Sequence, residues 1–294
     1  MHTFDYLLLT TCDGRNERLL DLIRLLHSID AEIQTHGLRI RHYILLQNTR
    51  KLPQQLAANV SEQRILMLES GRLSLSRARN RMLQQAKHDG ALATATLCAF
   101  PDDDAWYPTN LLTLILDTYK RHPHISILTC DYGSDPVSPS LTNQVAFQDA
   151  MDCGLFVRRV SSNTLFLSAS LTAEVGFFDE RLGVGGEING GEDLDYALRA
   201  YVRANHQVMI CEDKLVGHRD RLPWVRSHYF AGSLFAIARS ARNDLQLAAQ
   251  LLRKIAVGGF LVISRELSIG AYLSGLRSGL SGLTILDPLV APFE

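Results

Sequence analysis

The chain alternates between short apolar runs and longer segments whose apolar residues recur at helical spacing. Short apolar runs are typical of buried strands, and helical spacing is typical of amphipathic helices. The pattern predicts strands at Tyr6–Thr10, Arg41–Leu46, Arg64–Leu68, Thr94–Phe100, Ile125–Thr129, Asn163–Ser170 and Val208–Cys211 (an edge strand), and helices at Glu17–Ile33, Leu75–His88, Thr109–Arg121 and Glu192–Ala204. Between Thr129 and Asp152 the sequence is loop-rich. This alternation indicates an α/β fold with a mostly parallel sheet covered by helices on both faces.

Several predicted strands are followed directly by polar residues or glycine. Thr10, Asn48, Gly71 and Asp102 all fall at such strand ends. In open α/β sheets, ligands bind in the crevice beyond the carboxyl ends of the strands. We therefore expect these four positions to converge on one crevice.

Three consecutive carboxylates, Asp102, Asp103 and Asp104, end the fourth predicted strand. Like charges at contact distance repel by roughly a few kcal/mol at intermediate dielectric, so a divalent cation is the simplest remedy. Mg²⁺ and Mn²⁺ prefer oxygen ligands and keep positions open for substrate phosphates. A solvated acidic turn is the alternative for this motif taken alone.

A glycine-dense loop precedes a second pair of acids. Five glycines between Gly183 and Gly191 lead into Glu192 and Asp193, which open a predicted helix. The loop lacks the glycine spacing of a dinucleotide fingerprint and the lysine of a P-loop, so we interpret it as a mobile lid. The helix dipole favours acids at a helix N-terminus, so capping explains one of the two acids without any function.

Composition excludes several classes of protein. The 294 residues carry a net charge of −1 at a pI of about 6.8, which argues against electrostatic binding of nucleic acid. The five cysteines are widely spaced without metal-ligand spacing, so we expect buried thiols in a reducing compartment. The N-terminus shows no secretory signal pattern, and no uninterrupted apolar stretch approaches 18 residues, so we expect a cytoplasmic protein without a transmembrane span.

Four motifs in one order resemble a known family. They are Leu-Ser-Leu-Ser-Arg-Ala-Arg-Asn at 73–80, Phe-Pro-Asp-Asp-Asp at 100–104, Phe-Phe-Asp-Glu at 177–180 with Gly-Gly-Glu-Asp-Leu-Asp at 190–195, and His218. Together they are similar to the family 2 glycosyltransferases of the GT-A fold, which move a sugar from a nucleotide sugar to an acceptor. The similarity covers roughly residues 4 to 220. It implies a Rossmann-like mixed sheet flanked by helices.

The resemblance implies roles for individual residues. Asp104 would hold a Mn²⁺ or Mg²⁺ ion on the donor diphosphate, and His218 would complete that metal site. Asp102 would contact the ribose or the water shell of the metal, and Asp193 would be the general base. For His218 taken alone, a structural hydrogen bond is the alternative to metal ligation.

Further residues are assigned to the donor and the acceptor. The predicted donor-binding residues are Thr11, Asp13, Asn48, Arg79, Asn80, Asp102 and Asp103, and the predicted acceptor-binding residues are Trp106 and Glu192. Arg79 and Asn80 could instead simply occupy the first turns of a helix, and core packing is the alternative for Trp106. Many family members carry an acid just after the second strand, but here the chain reads Gln47-Asn48. The identity of the nucleotide is therefore open, and Asp13 is a candidate to replace that acid.

These observations predict a metal-dependent, inverting glycosyltransferase with a glycan or lipid-linked saccharide acceptor, as in polysaccharide or lipopolysaccharide biosynthesis. A metal ion would offset the charge of the leaving diphosphate, and a carboxylate would accept the proton of the acceptor hydroxyl. The competing interpretations are a sugar nucleotidyltransferase and a non-catalytic nucleotide-sugar-binding protein.

From about residue 229 onward, the apolar residues recur mainly at helical spacing. We predict a catalytic domain at 1–228, with a nucleotide-sugar half at about 1–130 and an acceptor half at about 131–228, followed by a helical extension at 229–294. Four basic residues of the extension, Arg239, Arg242, Arg253 and Lys254, lie among apolar ones. This composition is compatible with peripheral contact with the inner face of the membrane, with a homodimer through the helices, or with simple packing against the core.

Overall fold

The computed structural model describes residues 3–15, 17–59, 61–140, 145–149, 152–220, 222, 224–242 and 244–284. Its strands are β1 (Phe4–Asp13), β2 (Ile40–Gln47), β3 (Arg64–Leu68), β4 (Ala95–Ala99), β5 (Ile127–Gly133), β6 (Gln148–Asp149), β7 (Leu165–Ser168) and β8 (Met209–Gly217). Its α-helices are α1 (Glu17–His36), α2 (Leu75–His88), α3 (Ala91–Thr94), α4 (Leu111–Arg121), α5 (Cys153–Arg159), α6 (Ala169–Val175), α7 (Glu192–Arg203), α8 (Val225–His228), α9 (Phe230–Ala241), α10 (Leu245–Ile263) and α11 (Ile269–Leu280).

The eight strands form one mixed sheet in the order β3-β2-β1-β4-β7-β5-β8-β6. Strands β3, β2, β1 and β4 pair in parallel, and so do β5 and β8. Strand β7 runs antiparallel between β4 and β5 and joins these two parallel groups. Two buried clusters of apolar side chains, one containing Leu7 and the other Leu8, pack on opposite faces of β1. The predicted α/β fold with a mostly parallel mixed sheet is confirmed.

The strand predicted at Asn163–Ser170 is wrong in extent. A 3₁₀ turn covers Ser162–Thr164, the strand is limited to Leu165–Ser168, and helix α6 begins at Ala169. The hydroxyl of Ser168 accepts a hydrogen bond from the backbone N–H of Leu171 and so caps α6. The boundary between the strand and helix α6 could not be recognised in the sequence, because the apolar run continues across it. Helix α5 was likewise missed in the sequence.

The edge strand predicted at Val208–Cys211 is also wrong in part. Strand β8 continues to Gly217 and has neighbours on both sides, β5 and the two-residue β6. Its centre, Glu212 to Lys214, is exposed and polar, whereas both of its ends are buried. The polar centre interrupts the apolar pattern without ending the strand. This extension matters because it delivers the chain to His218.

The C-terminal helices continue the main core. Helix α9 packs on α7, and both α10 and α11 pack on α9. Phe230, Leu234 and Ile237 of α9 belong to the same buried cluster as Leu7 of β1. Arg239 of α9 also donates to Asp179 and Asp195. The first helix of the predicted extension is therefore part of the main core. The division of the chain into domains stays a prediction.

Among the described residues, one helix is long and apolar enough to cross a membrane by length and composition alone, namely α10. The expectation of no transmembrane segment rested on uninterrupted apolar runs, and Gln250, Arg253 and Lys254 interrupt this one. Length and composition alone do not show a span, so the absence of a transmembrane segment stays a prediction. Because Leu247, Leu251 and Leu261 of α10 are buried against the protein, the helix lies on α9 in this structure.

Close packing explains the glycines before α7. The backbone of Gly191 has φ +83°, and a Cβ atom there would lie 2.2 Å from the carbonyl oxygen of Gly232 in α9. At Gly190, a Cβ atom would lie 2.5 Å from the ring of Tyr229. These two glycines let α9 approach the N-terminus of α7, which supplies a structural reason for them apart from a lid.

This contact predicts a large effect of Gly191→Ala on stability. The new methyl group would combine left-handed strain with a backbone clash, so we expect a loss of about 2–5 kcal/mol in the free energy of unfolding. Gly37→Ala is the matched control, because Gly37 also has positive φ but no atom near its would-be Cβ, and about 1 kcal/mol is expected there. Equal losses for the two variants in urea unfolding would contradict the packing argument.

Candidate active site

The carboxyl ends of three strands bring the predicted site residues together. Strand β1 ends at Asp13, β4 leads through Phe100 to Asp102, and β8 leads to His218. Backbone hydrogen bonds between Trp106 and Gly217, both of 2.9 Å, join the segment after β4 to the end of β8. The distant segments at 102–104 and 218 therefore lie side by side, as the sequence predicted.

Asp102, Asp104 and His218 form one cluster, in which a ligand atom from each lies within 4.8 Å of the others. Nε2 of His218 lies 3.0 Å from a carboxylate oxygen of Asp104. Nδ1 of His218 lies 2.9 Å from the backbone carbonyl oxygen of Arg219, an interaction that makes Nδ1 the donor and directs Nε2 at the cluster. Two carboxylates and an imidazole whose other ring nitrogen is fixed by a hydrogen bond suit a divalent cation. The residues therefore fit the predicted Mn²⁺ or Mg²⁺ ion.

Three basic side chains surround Asp104. Besides His218, Nη1 of Arg18 lies 3.3 Å and Nε of Arg219 lies 3.5 Å from the same carboxylate oxygen of Asp104. Burial alone would raise the pKa of Asp104, but the hydrogen bond and charge of His218, with Arg219 and Arg18, hold it well below its usual value. Arg18 also approaches Asp103 at 3.4 Å. Asp104 is thus an anion held in a positive environment.

The sequence analysis missed Arg18 and Arg219 as site residues. Arg18 lies in the first turn of the helix after β1, and Arg219 directly follows His218. Their positions in the sequence could have indicated a role. Arg18 follows a strand end and Arg219 follows a predicted ligand, and both positions lie at the ligand-binding edge of the sheet. Surface arginines are common, however, and only the folded geometry distinguishes these two.

Arg79 lies buried between Asp193 and Asp102. Only 2% of its side chain is exposed. Its guanidinium donates to Asp193, to Asp102 at 3.2 Å and to the hydroxyl of Ser162 at 2.9 Å. The backbone N–H of Ser162 donates to the second oxygen of Asp193 at 3.2 Å. The carboxylate of Asp193 is therefore held in a fixed orientation, and Arg79 connects it to the cluster of Asp102, Asp104 and His218.

Asp102 has a second set of partners. Asn163 accepts from its backbone N–H at 2.7 Å and donates to its carboxylate at 2.9 Å. Burial raises the pKa of Asp102, against the opposing effect of Arg79. Burial also raises the pKa of the neighbouring Asp103 to about 6. Of the three consecutive acids, Asp104 is the most strongly stabilised as an anion.

Glu192 and Asp193, although adjacent, differ in environment. Glu192 is 7% exposed, and its Oε2 has no hydrogen-bond partner among the described residues. Burial raises the pKa of Glu192 to about 8, and the charge of Asp193 adds to this effect. The side chain of Asp193 is 27% exposed. Burial therefore favours the neutral form of Glu192, and Asp193 is the acid of this pair that is open to solvent.

Polar side chains at the ends of β1 and β2 contact each other. Gln47 donates to the hydroxyl of Thr11 at 2.7 Å, and Asn48 donates to Asp13 at 2.8 Å. Hydrogen bonds from Arg15, joined by that of Asn48, lower the pKa of Asp13 to about 2 against the effect of burial. Thr11, Asp13 and Asn48 therefore lie together where the nucleotide was predicted to bind. Their role in donor binding stays a prediction.

The two remaining candidates have protein partners in this structure. The side-chain amide of Asn80 pairs with the backbone N–H and C=O of Phe178 and also donates to Glu180. The ring of Trp106 packs on Gly217 and lies 4.2 Å from the guanidinium of Arg24. Trp106 is therefore beside the cluster, whereas Asn80 holds the 178–180 segment. Their substrate contacts also stay predictions.

The overall architecture can be compared with known proteins. No protein-family model matches the sequence, and no curated protein matches it. Among solved structures, residues 1–349 of Staphylococcus aureus TarS align with a TM-score of 0.64 at 15% identity, covering 95% of this chain and 81% of that one. The same protein in complex with UDP-GlcNAc gives a TM-score of 0.65 at 14% identity, covering 95% and 81%. Its complex with UDP gives 0.61 at 16%, covering 95% and 83%.

The chain therefore shares the fold of TarS, and the GT-A architecture implied by the four motifs is confirmed. At this low identity, TarS shows the architecture of the chain rather than its substrate. The chemistry has to be argued from the residues of the site.

Proposed function

We propose that the protein is a metal-dependent, inverting glycosyltransferase that moves a sugar from a nucleotide sugar to a hydroxyl of a glycan or lipid-linked saccharide. One observation carries this proposal. A candidate metal site of Asp102, Asp104 and His218 lies at the carboxyl edge of a GT-A sheet, and Arg79 connects it to Asp193 at the N-terminus of α7. The site provides separate groups for the leaving diphosphate and for the attacking hydroxyl.

The donor would lie along the edge formed by β1, β2 and β4. Thr11, Asp13 and Asn48 offer hydroxyl, carboxylate and amide groups that suit the edge of a base or a ribose. Arg18 and Arg219 offer positive charge to the diphosphate once a metal ion occupies Asp104. UDP-sugars are the first donors to test, because TarS of the same fold has been solved with UDP and with UDP-GlcNAc.

Asp102, Asp104 and His218 would hold a Mn²⁺ or Mg²⁺ ion, which supplies Lewis-acid stabilisation to the departing diphosphate. The carboxylate of Asp193 accepts the proton of the acceptor hydroxyl as its oxygen forms a bond to the anomeric carbon. The bond from that carbon to the diphosphate oxygen breaks, and the nucleoside diphosphate leaves with the electron pair. Attack opposite the leaving group inverts the anomeric centre.

The proposal includes the cellular setting predicted from the sequence. An enzyme that uses nucleotide sugars works where these are made, so we place it in the cytoplasm, acting in polysaccharide or lipopolysaccharide biosynthesis. A lipid-linked acceptor would bring it to the inner face of a membrane. Association of two copies through the C-terminal helices is the other arrangement open to the extension.

A thermal-shift screen of UDP-sugars with and without Mn²⁺, followed by turnover assays, tests the proposal. Release of a nucleoside diphosphate with a glycosylated acceptor supports it. Release of pyrophosphate from a nucleoside triphosphate would instead indicate a nucleotidyltransferase. Tight donor binding without transfer to any acceptor or to water would indicate a non-catalytic binding protein.

The metal site predicts a ligand-dependent gain in stability. With UDP and Mn²⁺ at about one hundred times their dissociation constant, binding should stabilise the wild-type protein by about 2.7 kcal/mol. Asp104→Asn keeps the shape of the side chain but removes the anionic ligand, so the Mn²⁺-dependent part of the shift should disappear. The matched control is Asp117→Asn, at an exposed acid on α4. An unchanged Mn²⁺-dependent shift in Asp104→Asn would refute the assignment of this ligand.

A further inference from the structure

The outward side of the C-terminal helices is apolar, which is unusual for a surface. On α10, the exposed residues Leu245, Ala249, Leu252, Ala256, Phe260 and Ile263 recur every three or four positions and so share one face. Ile269 and Leu273 add to it from α11. We call these eight residues the apolar face. All six large side chains of the set are more than half exposed, and Leu245 is 90% and Ile263 is 81% exposed.

The apolar face is not the side by which α10 joins the protein. Leu247, Leu251 and Leu261 lie on the opposite side of the helix and are buried. Helix α10 is therefore apolar both where it packs and where it meets solvent. A surface helix normally presents polar residues on its outer side, so the apolar face is expected to be covered by something.

Both helices contribute to one surface because each packs on α9. Helix α11 runs back along α10, and Tyr272 donates a hydrogen bond to the backbone carbonyl of Ile255 at 3.1 Å. Phe260 and Ile263 at the end of α10 come just before Ile269 at the start of α11. These three apolar residues therefore lie on either side of the polar turn that joins the two helices.

The charges around the apolar face are nearly all positive. Within residues 230–284, the exposed basic residues are Arg242, Arg253, Arg265 and Arg277. None of these four forms a salt bridge with another described residue. Glu266 is the only exposed acid that the structure describes in this range. This positive rim stands out because the whole chain carries a net charge of −1.

We propose that the apolar face docks on an anionic lipid surface, with α10 and α11 lying in the plane of the interface. Apolar side chains would enter the acyl boundary, and the arginines around them would meet lipid phosphates. A second copy of the chain is a poorer occupant. A twofold interface places the same rim on both partners, so arginines would face arginines with almost no acids to pair with them.

Docking of this kind would place the proposed chemistry close to lipid. Helix α9 lies between α7, which carries Asp193, and the layer formed by α10 and α11. Packed helix axes lie about 8–10 Å apart, so two such steps put α7 roughly 20 Å from α10. The inference thus extends the lipid-linked acceptor of the proposed function. Membrane binding itself needs no turnover.

Vesicle flotation of the full chain tests the proposal without substrate. Phosphatidylcholine vesicles with about 30% phosphatidylglycerol should bind the protein, pure phosphatidylcholine vesicles should bind it much less, and salt should weaken the binding. Phe260→Ser with Ile263→Ser should reduce binding at least tenfold, and so should Arg253→Glu with Arg277→Glu. All four residues are exposed, so these pairs should keep the wild-type melting temperature.

Two matched pairs serve as controls away from the apolar face. Leu20→Ser with Val202→Ser removes exposed apolar side chains elsewhere, and Lys120→Glu with Arg121→Glu reverses charge on α4. Neither pair should change the binding.

The proposal is overturned if anionic vesicles do not bind the protein, or if the control pairs reduce binding as much as the test pairs. A solution dimer that Phe260→Ser with Ile263→Ser dissociates would assign the face to a second copy. Failure here leaves glycosyl transfer untouched, because turnover is measured separately on a soluble acceptor.

Discussion

Asp193→Asn is expected to lower kcat for glycosyl transfer by about 10²–10⁴-fold, the usual contribution of a general base. The amide cannot accept the proton of the acceptor hydroxyl, yet it keeps the size of the side chain and can still accept a hydrogen bond from Arg79. We therefore expect Mn²⁺-dependent binding of the donor to persist. Steady-state kinetics with a UDP-sugar, together with thermal shifts, would separate these two effects.

The adjacent Glu192 provides the control for this experiment. Its pKa is raised to about 8 by burial, so at pH 7 the neutral form is favoured and Glu192→Gln changes the charge little. We expect this variant to retain activity within about tenfold of the wild type. If Asp193→Asn remained fully active, or if Glu192→Gln lost as much as Asp193→Asn, the assignment of the base to Asp193 would be wrong.

Arg79→Gln is expected to have the largest effect on stability. Removing one partner of a buried ion pair leaves uncompensated charge and typically costs about 3–5 kcal/mol. Here Asp193 and Asp102 would both lose the cation between them, so activity should fall together with stability. Urea unfolding measures the first effect, and kcat at a temperature where the variant is folded measures the second. Arg79→Lys should rescue little, because a single ammonium cannot reproduce the forked contacts.

Arg77 is the matched control on the same helix. Its side chain is 62% exposed and pairs with a half-exposed Glu180, so Arg77→Gln should cost less than about 1 kcal/mol. A double variant, Arg79→Gln with Asp193→Asn, should be less destabilised than the sum of its single changes, because each removes part of the same interaction. Strict additivity would show that Arg79 and Asp193 do not act as a pair.

Local patterns predicted most of the elements of the sheet. The helical spacing of Glu17–Ile33 and of Leu75–His88 lies within helices α1 and α2 of the structure, because an amphipathic helix needs only its own periodicity to be recognised. The sequence failed where the side-chain pattern did not follow the backbone. At Ser168 a strand turned into a helix inside one buried run, and at Glu212 a strand continued through exposed polar residues.

Some features of the candidate site were likewise predicted from the sequence, and others were not. The resemblance to family 2 glycosyltransferases predicted that Asp104 and His218 share one site, whereas the residue types at strand ends predicted only the crevice near Asp102. The partners of these residues were not predictable. Arg79 was assigned to the donor nucleotide, but in the structure its guanidinium lies between Asp193 and Asp102. Its actual contacts depend on the packing of α2 against α7 and on the position of Ser162.

The sequence by itself determined the α/β class, the order of the motifs and the chemical groups available at the edge of the sheet. Only the tertiary structure decided that Glu192 is buried while Asp193 is open, that Arg18 and Arg219 surround Asp104, and that one side of α10 faces solvent. The reason is physical. Periodicity and strand ends are encoded within a few neighbouring residues, whereas burial, ion pairing and the exposure of a helix face arise from contacts between segments far apart in the chain.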